Sequence, residues 1–112
     1  MQVTEVREQQ TVGNPHGVEV RKVHDTAHAQ VMHITLQPGQ SLKRHSTPVD
    51  VFFYVLEGTG VVEVGDEKRL VSSDVLIDSP AKIPHGWYNE SDTVLRVLVV
   101  KTPRPTEGTR LL

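Results

Sequence analysis

The sequence predicts an all-β domain, a sandwich or barrel, on three observations. Short runs rich in Val, Ile, Thr and aromatic residues recur at regular spacing, clusters of Gly, Pro, Asn and Asp separate them, and no segment carries helical periodicity. A chain of 112 residues makes one domain, large enough to build a core without disulfides.

The elements follow in order. Residues 1–12 alternate loosely, which predicts an edge strand, and Gly13-Asn14-Pro15-His16-Gly17 predicts a loop. Residues 18–24 read as a half-buried strand. Residues 28–37 read as another, with Met32, Ile34 and Leu36 on one face and Val31, His33 and Thr35 on the other. Pro38-Gly39 ends it. The stretch from His45 to Leu56 reads as one extended run: His45, Thr47, Val49, Val51, Phe53 and Val55 share a face, while Asp50, Phe52, Tyr54 and Leu56 share the other. Both faces are apolar, so the strand needs cover on both sides.

Glu57-Gly58 stops that run, and residues 60–64 read as its hairpin return. Gly65-Asp66-Glu67 then turns the chain into 68–71. Residues 74–78 carry a short apolar run. Pro80 and Pro84 remove ladder donors and predict an irregular loop that delivers His85. His85, Trp87 and Asn89 then fall on one side of an extended segment. Residues 94–102 are apolar apart from Arg96, as expected of a strand covered on both faces. The tail, 103–112, has no periodic pattern and reads as an ill-ordered end or an arm on a neighbour.

Composition excludes several function classes. Without cysteine there is no disulfide, no thiolate metal site and no Cys nucleophile, so any metal would be held by nitrogen and oxygen. A net charge of −2 with scattered Lys and Arg argues against nucleic acid. No apolar run is long enough for a signal peptide or a membrane span, which leads us to expect a cytoplasmic protein.

Two stretches carry chemistry. Gly39, His45 and Gly58 stand at the spacing of a motif that runs glycine, five residues, His-x-His, three or four residues, Glu, six residues, glycine. Pro80, His85 and Asn89 stand at the spacing of a second, which runs glycine, five residues, Pro-x-Gly, two residues, His, three residues, Asn. On these motifs the chain resembles the cupin family over a barrel core of about 28–102, with residues 1–27 preceding it. The resemblance implies a jelly-roll barrel, a double-stranded β-helix. It also implies that His45 and His85 converge at the barrel mouth, where Thr47, Val51, Phe53, Trp87 and Asn89 would surround a small-molecule ligand.

The departures bear on function. Thr47 stands for the second His and Val51 for the Glu, so two of four usual metal ligands remain; Lys82 stands for the second motif's glycine, and one extra residue precedes Pro80. Two histidines alone would hold a divalent transition metal (Fe, Mn, Ni or Zn) weakly. Asp50 has the wrong parity to help; Asp78 and His33 are geometric candidates for a further ligand.

Three functional readings follow. The first is a small-molecule-binding domain with a degenerate metal site. The second is a metal-dependent oxygenase or isomerase using His45, His85 and an atypical third ligand. The third is a metal-free isomerase or epimerase-like enzyme with His45 or His85 as general base. Lys43 and Lys82 read as solvated loop lysines that would favour an oxyanion if they turned inward. Arg96 reads as a pocket residue, a partner of Asp50 or Asp78, or a rim residue with a snorkelling stem. The row Phe52, Tyr54, Leu56 reads as sandwich interior or subunit interface, and the resemblance implies a homodimer through it.

Overall fold

A computed structural model gives the architecture. It describes residues 1–112 apart from Glu107, Thr109 and Leu112 and the side chains of Arg110 and Leu111. Among the described residues ten strands run β1 Glu19–Asp25, β2 Gln30–Leu36, β3 Ser41–Ser46, β4 Asp50–Glu57, β5 Thr59–Val64, β6 Glu67–Ser72, β7 Leu76–Ser79, β8 His85–Tyr88, β9 Leu95–Thr102 and β10 Arg110–Leu111. They form two antiparallel five-stranded sheets, ordered β1-β2-β9-β4-β7 and β10-β3-β8-β5-β6. The only helical element among the described residues is a single 3-10 turn, Val6–Glu8.

The apolar alternation read from the sequence becomes the two inner faces. Leu36, Phe53, Val55, Leu95, Val97 and Val99 project from the first sheet, and Leu42, Val62, Val71 and Trp87 meet them from the second. Phe53 and Trp87 touch edge to face, ring centroids 5.5 Å apart and planes at 79°.

Four expectations are corrected. The run from His45 to Leu56 is not one strand: Thr47-Pro48-Val49 breaks it, and the chain crosses from the second sheet (β3) to the first (β4). Pro48 has no N–H to give a ladder, which suits a corner. Nor does β5 return along β4; at Gly58 the chain crosses back to the second sheet, where β5 pairs with β8 and β6. Residues 1–12 form no edge strand, only the isolated bridge Thr11–Arg21. In the tail, Arg110 and Leu111 form a short strand paired with Ser46 and His45 of the same chain instead of running without order, and Glu107, Thr109 and Leu112 lie outside the described residues.

The second crossing depends on glycine. Gly58 has φ +85°, and a Cβ there would lie 2.2 Å from the carbonyl oxygen of Val94. The loop before β8 is tied to the first corner: the Ala81 N–H donates to Asp50 Oδ1 (2.9 Å) and the Lys82 N–H to the Thr47 carbonyl (2.8 Å). Lys82 sits at φ +68°, so it keeps the left-handed backbone for which its motif uses glycine, at the expense of a steric clash with its own Cβ.

Two substitutions test these backbone readings in urea denaturation. Gly58→Ala combines a left-handed conformation with a backbone collision and is expected to lose more than about 2 kcal/mol; an unchanged midpoint would show that the corner can relax. Lys82→Gly removes the clash and is expected to gain ~0.5–1 kcal/mol, whereas a loss would mean that the lysine side chain holds the loop.

Candidate functional site

His45 on β3 and His85 on β8 are register partners, directly opposite one another in the second sheet. Side chains in that relation project to the same face, and the two rings meet edge to face with centroids 4.5 Å apart. Both are buried, at 8% and 2% exposure. The first sheet supplies the facing wall: Phe53 packs its ring 5.1 Å from that of His85 at 82°.

Each imidazole is oriented by a partner on its Nδ1. His45 Nδ1 lies 2.6 Å from the Lys43 carbonyl; a carbonyl only accepts, so Nδ1 carries the proton and a neutral His45 keeps a lone pair on Nε2. His85 Nδ1 lies 2.7 Å from Ser79 Oγ, and its Nε2 sits at 3.4 Å from Thr47 Oγ1, a long contact. The Lys43 peptide also donates its N–H to Nδ1 of His16, 3.1 Å away. His16 therefore holds its proton on Nε2, with its ring centroid 5.0 Å from that of His45.

These groups line a cavity of about 280 Å³ at one end of the sandwich. Its polar lining is His16, Thr47, His45, His85 and Lys101, with Asn14 at the edge. Met32, Ile34, Phe53 and Val99 supply apolar wall. The N-terminal segment closes one side through an Asn14 turn: Asn14 Oδ1 accepts the His16 and Val18 N–H groups, while Nδ2 donates to the Val12 and Val18 carbonyls.

Burial disfavours the protonated forms of the site's imidazoles. It lowers the proton affinity of His85 to a pKa of about 3, with the neighbouring His45 and the Lys101 charge adding to the effect. His45 and His16 are lowered too, chiefly by burial. Lys101 is lowered by burial alone.

The expected site residues divide. His45, Thr47, Phe53 and His85 come together in the cavity, but Val51, Trp87 and Asn89 do not line it. Val51 and Trp87 are core. Asn89 is a structural clamp, donating to the Leu36 and Thr93 carbonyls and accepting from Ser91. The strand β8 serves cavity and core in succession along one face, with the clamp residue just after its end.

Neither of the considered extra ligands reaches the cavity. His33 points to the opposite side of the first sheet, where its Nε2 accepts from Arg96 Nε (3.1 Å), and Asp78 is exposed. Arg96 is neither a pocket residue nor a partner of Asp50 or Asp78; it pairs with Glu57 at 3.3 Å. Lys43 and Lys82 are exposed. Two further residues reach the cavity, His16, whose loop gives no local hint of where it folds, and Lys101. The signal for Lys101 was present: it continues the inward row Leu95, Val97, Val99 by parity.

A larger groove of about 480 Å³ opens between the free edges of β6 and β7. It holds no histidine, and the convergent polar groups lie at the other end. Among the described residues, no three His, Asp or Glu side chains are placed to hold a metal ion. Among the described residues no helix is long and apolar enough to cross a membrane.

Known proteins agree with this architecture. The chain is similar to the TT1209 protein of Thermus thermophilus, at 33% identity and a TM-score of 0.80, covering 94% of this chain and 100% of that one. It is also similar to the polyketide cyclase RemF of Streptomyces resistomycificus (21%, TM-score 0.85, 100% and 85% covered) and to KdgF of Halomonas sp. (20%, 0.80, 95% and 96%). No functionally curated protein matches the chain. The cupin-domain family model Cupin_2 matches residues 32–101. With this match over most of the chain and the two sheets forming the double-stranded β-helix, the chain belongs to the cupin family.

Proposed function

We propose that this cupin binds a small molecule in the His45–His85 cavity without a metal. The observation that carries the reading is the donor set: the pocket offers three imidazoles, His16, His45 and His85, and a lysine, and among the described residues no carboxylate lines it. A divalent ion does not fit these residues. Thr47 and Val51 stand at the positions of two usual ligands, and Lys101, whose positive charge acts on both His45 and His85, lines the same cavity. The volume lies at the lower end of small-molecule sites, about nine waters' worth at ~30 Å³ each.

A second reading shares the same pocket. His45, fixed through Nδ1 to a backbone carbonyl and bearing its lone pair on Nε2, has the arrangement of a general base, which supports a metal-free acid–base enzyme. Two of the similar proteins, RemF and KdgF, share the fold at about one-fifth identity, and the likeness extends to fold alone. We also propose the homodimer: Phe52, Tyr54 and Leu56 form a half-buried row on the outer face of the first sheet beside Leu98 and Val100, and light scattering at the mass of two chains would bear it out.

Elemental mass spectrometry of protein purified without chelator or affinity tag tests the metal-free reading. Trace metal in both wild type and His45→Ala is expected; near-stoichiometric metal that disappears in the variant would contradict it. Burial of the imidazoles generates a further expectation. The unfolded chain takes up protons on histidine near pH 6.5, while folded His85 does so only near 3. Its contribution is therefore complete above pH 6.5 and is lost as the pH falls through that window, at up to ~1.4 kcal/mol per pH unit. In urea midpoints measured between neutral and mildly acid pH, His85→Gln should show a slope shallower by ~1 kcal/mol per unit. Equal slopes would mean that His85 titrates normally.

A further inference from the structure

Lys101 is a charge placed where a barrel keeps hydrophobic residues. It continues the inward-facing row of β9 after Leu95, Val97 and Val99, with Val51 and Gln30 as its register partners on either side. Its side chain enters the cavity, and its charge reaches both His45 and His85, depressing their protonation. Among the described residues it makes no ion pair and no side-chain hydrogen bond, and none of the residues lining the cavity is an Asp or Glu. A half-buried ammonium without a counterion is an unfavourable arrangement that a bound anion would relieve.

The remaining polar groups point the same way. With Nδ1 accepting from the Lys43 peptide, His16 offers its Nε2–H as a donor, and the Thr47 hydroxyl supplies another. The walls opposite are Met32, Ile34 and Phe53. One full cation with two neutral donors suits a singly charged planar group better than a phosphate dianion, which takes several cations.

We infer that the ligand of this pocket is a small monocarboxylate with an apolar body, its carboxylate paired to Lys101 and its body against Phe53. The inference rests on the metal-free binding reading and adds the chemical class of the ligand.

Calorimetric titration with two probes of the same shape, benzoate and benzamide, at matched ionic strength tests it. Benzoate is expected to bind and benzamide to bind at least about tenfold more weakly. Lys101→Met keeps the length and apolar stem and should weaken benzoate by about thirtyfold, with benzamide unchanged, whereas Lys101→Arg should retain the preference. Circular dichroism checks folding of each variant; if Lys101→Met does not fold, Lys101→Gln takes its place. Equal binding of the two probes, benzoate affinity indifferent to the loss of Lys101, or no benzoate binding at millimolar concentration would overturn the inference. Binding of benzamide as tight as benzoate would leave the metal-free pocket standing. Stoichiometric metal in the purified protein would remove that pocket reading itself.

Discussion

The site depends on the chain changing sheets twice within one short stretch. At Thr47-Pro48-Val49 it leaves the second sheet for the first, and at Gly58 it returns. Because of the first crossing, His45 on β3 and Phe53 on β4 face each other across the sandwich instead of lying in one row along a strand. The antiparallel β3–β8 ladder then sets His85 opposite His45, and the loop carrying Lys82 is pinned to the same corner by the Thr47 carbonyl and the Asp50 carboxylate. Rigid backbone at the corner thus becomes fixed imidazole geometry in the cavity.

Local alternation was legible wherever it was continuous. The faces of residues 28–37, the apolar strand 94–102 and the Gly65 hairpin all appear as read, because a period of two with one buried face leaves little freedom of register. The crossings were not legible. A Pro between two β-rich runs and a Gly after them are compatible with a bulged strand and a hairpin, and only packing decides for a corner. Much the same holds for Trp87 and Asn89: parity sets them on the side of His85, but where the strand ends, which parity does not encode, leaves Trp87 in the core and Asn89 just beyond β8 in a turn clamp. Arg96 stands out in the sequence because it interrupts an apolar run, yet this off-parity charge is the ordinary one, paired with Glu57 outside the sheet. Lys101, in parity with the core, is the one that reaches the cavity.

On the metal-free reading proposed above, the pocket favours electron-rich groups over a cation. Loss of a carboxylate at position 51 and an imidazole at 47 removes ligands; an ammonium at 101 goes further and disfavours a metal electrostatically. The backbone of Lys43 matters here more than its side chain. Its carbonyl and N–H set the tautomers of His45 and His16 in opposite senses, so that the cavity holds one imidazole acceptor and one imidazole donor side by side. That pairing serves binding of a polar group, and it equally serves proton transfer to one.

The central claim is that His45 and His85 are neutral, preset and free of metal, and nitrogen-detected NMR of the imidazole rings in protein as purified tests it most directly. At mildly acid pH, about 6, where a free imidazole is largely protonated, His85 should give neutral signals, and neutral His45 should carry its proton on Nδ1. Imidazolium shifts for His85, or ring nitrogens displaced by coordination to a metal, would contradict the account.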